Sequence, residues 1–133
     1  MILDDEDVLI EKSQKNNLNI LTSLLYKMYC DNEVIQYSSI YQFLNRILKD
    51  YNYNFCLGSI NINKKNLEYA GHISYGFQYL QDSRVILNIS IYCKEIDIFN
   101  IFSIDRNEYV YNKSAEYYIY KTTYVFNEKK KTS

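Results

Sequence analysis

The chain has 133 residues, a hydrophobic content of 47% and a formal net charge of −1. This length fits one compact domain, residues 1–133, and this apolar content excludes wholesale disorder. Lys and Arg are scattered and form no basic stripe, which argues against nucleic acid as a partner because that binding needs many phosphate contacts. The acidic run at residues 4–7 and the basic run at residues 129–131 are expected to be a frayed N-terminus and a solvated C-terminal tail.

Two amphipathic helices are predicted in the first fifty residues. The first is marked by apolar residues at spacings of three and four: Leu18, Leu21, Leu25 and Met28. The second is marked by Ser39 and Gln42, which fit a capping box, and by an apolar face from Ile40 to Tyr51. The turn-forming residues 30–34 (CDNEV) predict a short loop between the two helices.

From about residue 52 the apolar period changes from 3.6 to 2, which predicts strands. The alternation slips at Gly58 and Ser59, as at a β-bulge or a bend. The predicted strands are 53–62, 67–79, 85–91, 95–102, 108–112 and 116–126, with turns at 81–83 and 105–107. Because no helix lies between them, we predict an α+β fold, with two N-terminal amphipathic helices followed by a curved antiparallel sheet of five or six strands.

Cys30, Cys56 and Cys93 are widely spaced and are accompanied by one histidine. A structural zinc site needs about four ligands at close spacing, so we expect no metal and no other cofactor. Each cysteine lies in an apolar run, where a thiol behaves as a small buried hydrophobe. Reduced thiols, the lack of a signal-peptide pattern and the lack of a long apolar run predict a cytoplasmic protein without a membrane partner.

His72 is the single histidine, and the alternation of its strand places it opposite an aromatic face that includes Tyr69. If that aromatic face packs on the helices, His72 faces solvent as an ordinary polar residue. If the sheet curves strongly, the polar face lines a pocket in which His72 and Glu68 could form an acid–base pair. Glu95 and Asp97, two apart on one predicted strand, are a weaker pair for metal or glycosidase chemistry. Because no nucleophile, phosphate or zinc motif is present, we expect no catalytic residues.

Sixteen tyrosines are too many for the core of a domain this small, so some must lie on the surface. Surface tyrosine offers rigid, amphipathic contact area at low entropic cost, which favours a protein-binding face. The candidate contact residues are Tyr109, Tyr111, Tyr118, Tyr120 and Tyr124, with Glu108 and Glu116 placed to attract a basic partner. The alternative is that these tyrosines are half-buried strand residues, favoured by β-propensity and by AT-rich codon usage.

Two helices followed by a curved antiparallel sheet are similar in outline to cone-shaped NTF2-like domains and to immunity proteins that block toxin domains. The resemblance concerns the order of elements and covers no specific residue. We expect a non-enzymatic protein-binding module, such as an inhibitor or immunity protein, that acts through a tyrosine-rich sheet surface. One alternative is an NTF2-like small-molecule-binding domain or enzyme that uses His72 and Glu68. Another is a homodimer joined by its tyrosine faces.

Overall fold

The computed structural model of the chain describes residues 2–3, 16–31 and 33–127, so both charged ends lie outside the described residues. The elements are β1 (Ile2–Leu3), α1 (Asn17–Cys30), α2 (Glu33–Ile47), β2 (Tyr51–Cys56), β3 (Ser59–Lys64), β4 (Tyr69–Tyr79), β5 (Arg84–Cys93), α3 (Asp97–Ile101), β6 (Val110–Asn112) and β7 (Tyr117–Asn127). Two helices therefore precede an antiparallel sheet, which confirms the predicted α+β fold. None of the described helices has the length and apolar character needed to span a membrane.

The helix predicted from the Leu and Met stripe is confirmed as α1. It begins after Asn16, whose Oδ1 accepts hydrogen bonds from the backbone N–H groups of Leu18 and Asn19. Helix α2 begins at Glu33, well before the predicted cap at Ser39. Ser39 therefore lies inside the helix, because the residues before it include no glycine or proline that would end the helical conformation.

The strands form one open seven-stranded sheet in the order β1-β7-β5-β4-β3-β2, with β6 also paired to β7. Strands β2 to β7 are antiparallel to their neighbours, whereas the two-residue β1 runs parallel to the end of β7. Because β5 occupies one edge of β7 along its length, β6 and β1 share the other edge.

The two helices cover one face of the sheet. The Tyr26 ring of α1 stacks on Phe126 of β7 with ring centroids 4.0 Å apart, and the Tyr41 ring of α2 meets Phe55 of β2 edge-on at 5.4 Å. Most of the side chains that β3, β4 and β5 turn toward the helices are almost fully buried. On the opposite face, which we call the open face, the side chains of these strands are half-buried or exposed.

The phase slip at Gly58 marks a tight turn between two strands and not a bulge within one strand. Cys56 pairs with Ser59, which leaves Leu57 and Gly58 as a two-residue hairpin loop. Gly58 has φ of +90°, a conformation that glycine adopts without the steric penalty of a side chain. The segment predicted as one interrupted strand is therefore the β2–β3 hairpin.

The strand predicted at 95–102 is wrong, because this segment forms the short helix α3. Ile98, Phe99 and Phe102 are all fully buried, and this spacing matches one side of a helix better than an alternating strand. Consequently, Glu95 and Asp97 do not share a strand face: Glu95 precedes α3 and Asp97 lies in its first turn.

The cysteines differ in burial. Cys93 on β5 is fully buried and Cys30 at the end of α1 is half-buried, as an apolar environment predicts. Cys56 is exposed, so the expectation of burial is wrong for this residue. The reason is its position in β2, where it follows the exposed Asn52 and Asn54 in phase and faces away from the helices.

Candidate functional site

An irregularity in β4 determines which side chains surround His72. Ile62 of β3 pairs with Gly71, but the next residue, Asn63, pairs with Tyr69, so Ala70 is left without an opposite residue. Such an extra residue reverses the alternation of the strand. Tyr69 therefore lies on the same face as His72, and the predicted placement of the two residues on opposite faces is wrong.

Four rings form a row across the open face. The His72 and Tyr92 rings, on paired positions of β4 and β5, stack with centroids 4.6 Å apart. Tyr117 of β7 meets Tyr92 edge-on at 5.4 Å, and Tyr69 lies 6.1 Å from His72 at the other end. We call this row the open-face cluster: Tyr69, His72, Tyr92 and Tyr117. Tyr69 is exposed and the other three are half-buried, so each ring keeps some accessible area.

The imidazole of His72 is held by a hydrogen bond with Tyr69. The Tyr69 hydroxyl oxygen lies 2.5 Å from Nδ1 of His72. Burial lowers the pKa of His72 from its ordinary value of 6.5, so the ring is neutral at pH 7. Because a neutral ring accepts at one nitrogen and a phenol is a good donor, we assign the Tyr69 O–H as donor and the ring proton to Nε2.

The chemistry around His72 favours contact over catalysis. Glu68, the predicted partner of an acid–base pair, is exposed, and the described hydrogen bonds and ion pairs include none between its carboxylate and His72. The described neighbours that extend the row are instead apolar, and one cation lies over its end. Ile119 pairs with Tyr92 and with the exposed Val110, which extends the row toward the β6 edge. At the other end, Lys94 Nζ lies 5.7 Å from the centroid of the Tyr69 ring.

The three predicted contact tyrosines of β7 lie on the face that meets the helices. Tyr118 and Tyr120 are half-buried against the core, and Tyr124 is 5% exposed. The Tyr124 hydroxyl donates a hydrogen bond to Oδ1 of Asn19 on α1, with the two oxygens 3.1 Å apart. Tyr124 therefore supplies structural contacts and almost no accessible area, whereas Tyr118 and Tyr120 keep part of theirs.

The remaining predicted contact residues lie at the β6 edge. Tyr109 stacks on the buried Phe99 of α3 with centroids 4.3 Å apart, whereas Tyr111 is 52% exposed. Glu108 and Glu116 are both exposed, which leaves their carboxylates able to attract a cation. A role in partner binding stays a prediction for these residues.

A cleft of about 570 Å³ opens beside the ends of β2 and β3, where Asp50, Tyr51, Lys64 and Asp97 line it. The Tyr51 hydroxyl donates to Oδ2 of Asp97, and Lys64 Nζ lies 2.9 Å from Oε1 of Glu95. Burial, together with the hydrogen bond to Asp97, raises the pKa of Tyr51. Asp97 of this cleft thus already has a partner, and the described residues contain no group of three or more metal-ligating side chains.

A smaller cavity of about 260 Å³ lies between the start of α1, the loop after α3 and β7. It brings together Glu108, Tyr120 and Tyr124, which the sequence analysis selected for a different reason. His72 and Glu68 line neither this cavity nor the cleft.

Sequence reasoning missed two members of the open-face cluster, Tyr92 and Tyr117. Both occupy the phase of their strand opposite to the residues that face the core. Large aromatic residues in a phase that also carries polar residues such as Asn88 and Lys121 are the signal that could have found them. A function has to be argued from the geometry, because comparisons with protein-family models, curated proteins and solved structures found no match to this chain.

Proposed function

We propose that this protein is a non-enzymatic protein-binding module whose contact surface is the open face of the sheet. The observation that carries the proposal is the open-face cluster, a contiguous row of four rings on a face that no described helix covers. Aromatic side chains are enriched at protein interfaces and dominate binding hot spots. Since the rings already contact one another on paired strands, little side-chain entropy would be lost on binding.

The electrostatics of the row favour a partner with arginine side chains on its surface. The exposed Glu68 and Glu116 are the chain neighbours of Tyr69 and Tyr117, the two ends of the row. Aromatic faces also attract cations, and the position of Lys94 over the Tyr69 ring is one instance. An inhibitor or immunity protein that covers a basic surface of another protein would use a face of this kind.

The test is affinity capture with matched tyrosine variants. Tagged wild-type protein would be used to capture partners from an extract of its native host, with identification by mass spectrometry. A double variant, Tyr92→Ala with Tyr117→Ala, removes two adjacent rings of the four in the row. The control is Tyr79→Ala, because Tyr79 is 55% exposed and lies outside the row. We expect the control to keep the partner and the double variant to lose about 30-fold or more in affinity, the effect of one hot spot.

Circular dichroism and thermal unfolding of each variant would separate loss of contact from loss of fold. If the double variant is folded and binds the partner with wild-type affinity, the open face is not the contact surface. If Tyr111→Ala alone abolishes binding, the surface lies at the β6 edge. Sedimentation at several concentrations tests the remaining alternative, since a dimer that dissociates in the double variant would assign the open face to self-association.

A further inference from the structure

The cavity between α1 and β7, which we call the polar cavity, is lined mainly by hydroxyl, amide and carboxylate side chains. Its polar lining includes Asn16, Asn19, Glu108, Tyr120, Thr122 and Tyr124. Tyr120 and Tyr124 reach it from the helix-covered face of the sheet, so the polar cavity and the open face lie on opposite sides. An inference about the cavity is therefore independent of the proposed protein-binding function.

The hydrogen bonds within the polar cavity leave it rich in acceptors. Asn16 Oδ1 already accepts the first N–H groups of α1, so the helix end does not present free donors to an anion. The Tyr124 hydroxyl uses its proton on Asn19. Tyr120 and Thr122 are two residues apart on β7, and both line the cavity with their hydroxyl-bearing side chains. Hydroxyl oxygens with such bonds keep lone pairs that can accept from a ligand.

Glu108 supplies the charge of the polar cavity. Its Oε2 accepts a hydrogen bond of 2.8 Å from the backbone N–H of Asp105. Within the described part of the chain, no Lys or Arg forms an ion pair with it. Burial raises the pKa of Tyr124, and the nearby Tyr120 and Glu108 raise it further. Glu108 therefore gives the cavity a carboxylate that a cationic group of a ligand would neutralise.

We propose that the polar cavity binds a small polyhydroxylated amine of the amino-sugar class, with the ammonium group on the Glu108 carboxylate. The hydroxyl groups of such a ligand would exchange hydrogen bonds with Thr122 and Tyr120. The cavity volume of about 260 Å³ lies just below the roughly 300–1,000 Å³ typical of pockets that bind drug-sized ligands. A single sugar ring therefore fits the cavity, and a nucleotide does not.

Isothermal titration with glucosamine and with glucose tests the charge requirement. The two sugars differ at C2 alone, where glucosamine has an ammonium group and glucose a hydroxyl group. We therefore expect saturable binding of glucosamine and at least about tenfold weaker binding of glucose, which is the effect of one charged hydrogen bond on affinity. Glu108→Gln keeps the shape of the exposed side chain and should weaken glucosamine binding by a similar factor. Thr122→Val is a second, nearly isosteric variant and should also weaken it.

The control variant is Asp50→Asn, which removes a carboxylate from the cleft beside β2 and β3 and leaves the polar cavity intact. We expect this variant to bind glucosamine like the wild type. Absence of saturable binding in the wild-type protein would overturn the proposal. So would unchanged binding in Glu108→Gln, or loss of binding in Asp50→Asn, which would assign the amine to the cleft.

Discussion

Gly71 and Gly76 lie on the same strand, and alanine at each tests how closely β4 approaches β5 beside the bulge. A Cβ at position 71 would lie 2.5 Å from the carbonyl oxygen of Tyr92 and 3.3 Å from Sγ of Cys93. A Cβ at position 76 would have no atom within 4 Å. Neither glycine has a positive φ, so the comparison concerns space and not backbone conformation.

The expected magnitudes follow from two contributions. Replacing glycine by alanine restricts the unfolded chain and stabilises the fold by about 0.4–1 kcal/mol where alanine fits, and this contribution is common to both positions. Overpacking against a neighbouring backbone costs about 1–3 kcal/mol and applies at position 71 alone. We therefore expect Gly76→Ala to be slightly more stable than the wild type, and Gly71→Ala to be less stable than Gly76→Ala by about 1–3 kcal/mol.

Urea unfolding followed by far-UV circular dichroism measures both free energies of unfolding, and equal slopes would show that the same surface is exposed in each variant. The comparison bears on the candidate site because Gly71 is adjacent to the bulged Ala70 and to His72. If the two variants differ by less than about 0.5 kcal/mol, within the spread of ordinary surface substitutions, the close approach of β4 to Tyr92 is wrong. The placement of Tyr69 beside His72 would then lose its structural basis.

Two further predictions concern pH and thiol reactivity. Because the folded pKa of His72 is lowered from 6.5, the unfolded chain binds this proton at higher pH. The contribution of neutral His72 to stability is complete above pH 6.5 and is lost as pH falls toward the lowered folded pKa. His72→Gln should therefore flatten the pH dependence of the urea midpoint below pH 6.5. An unchanged dependence would contradict the burial of His72. Iodoacetamide should alkylate the exposed Cys56 at least about 100-fold faster than Cys93. Burial shields the Cys93 thiol and raises its pKa to about 12, so we expect Cys93 to react when the protein unfolds. Comparable labelling of both cysteines, measured by peptide mass spectrometry, would refute their assigned burial.

The periodicity of the sequence was sufficient to predict α1, the long strands and the turn at 81–83, because these depend on local geometry. A stripe such as Leu18, Leu21 and Leu25 repeats at the helical period, and the alternation through Val85 to Ile91 repeats at the strand period. The aromatic excess likewise indicated that some tyrosines lie outside the core. Sequence alone could not assign them to a face, because β7 carries large residues in both phases, with Tyr118 in one and Tyr117 in the other.

Three features were decided by tertiary structure. The helices select which phase of each strand is buried, and this choice assigns Tyr124 to the core side and Tyr92 to the open face. The extra residue Ala70 moves Tyr69 to the side of His72, an effect of register with β3 that no local pattern in β4 reveals. The segment 95–102 becomes helical because Phe99 and Phe102 can both be buried on one side of a helix. Local periodicity is set by backbone geometry within a few residues, whereas register and burial depend on contacts between distant segments, which the sequence specifies only through the folded structure.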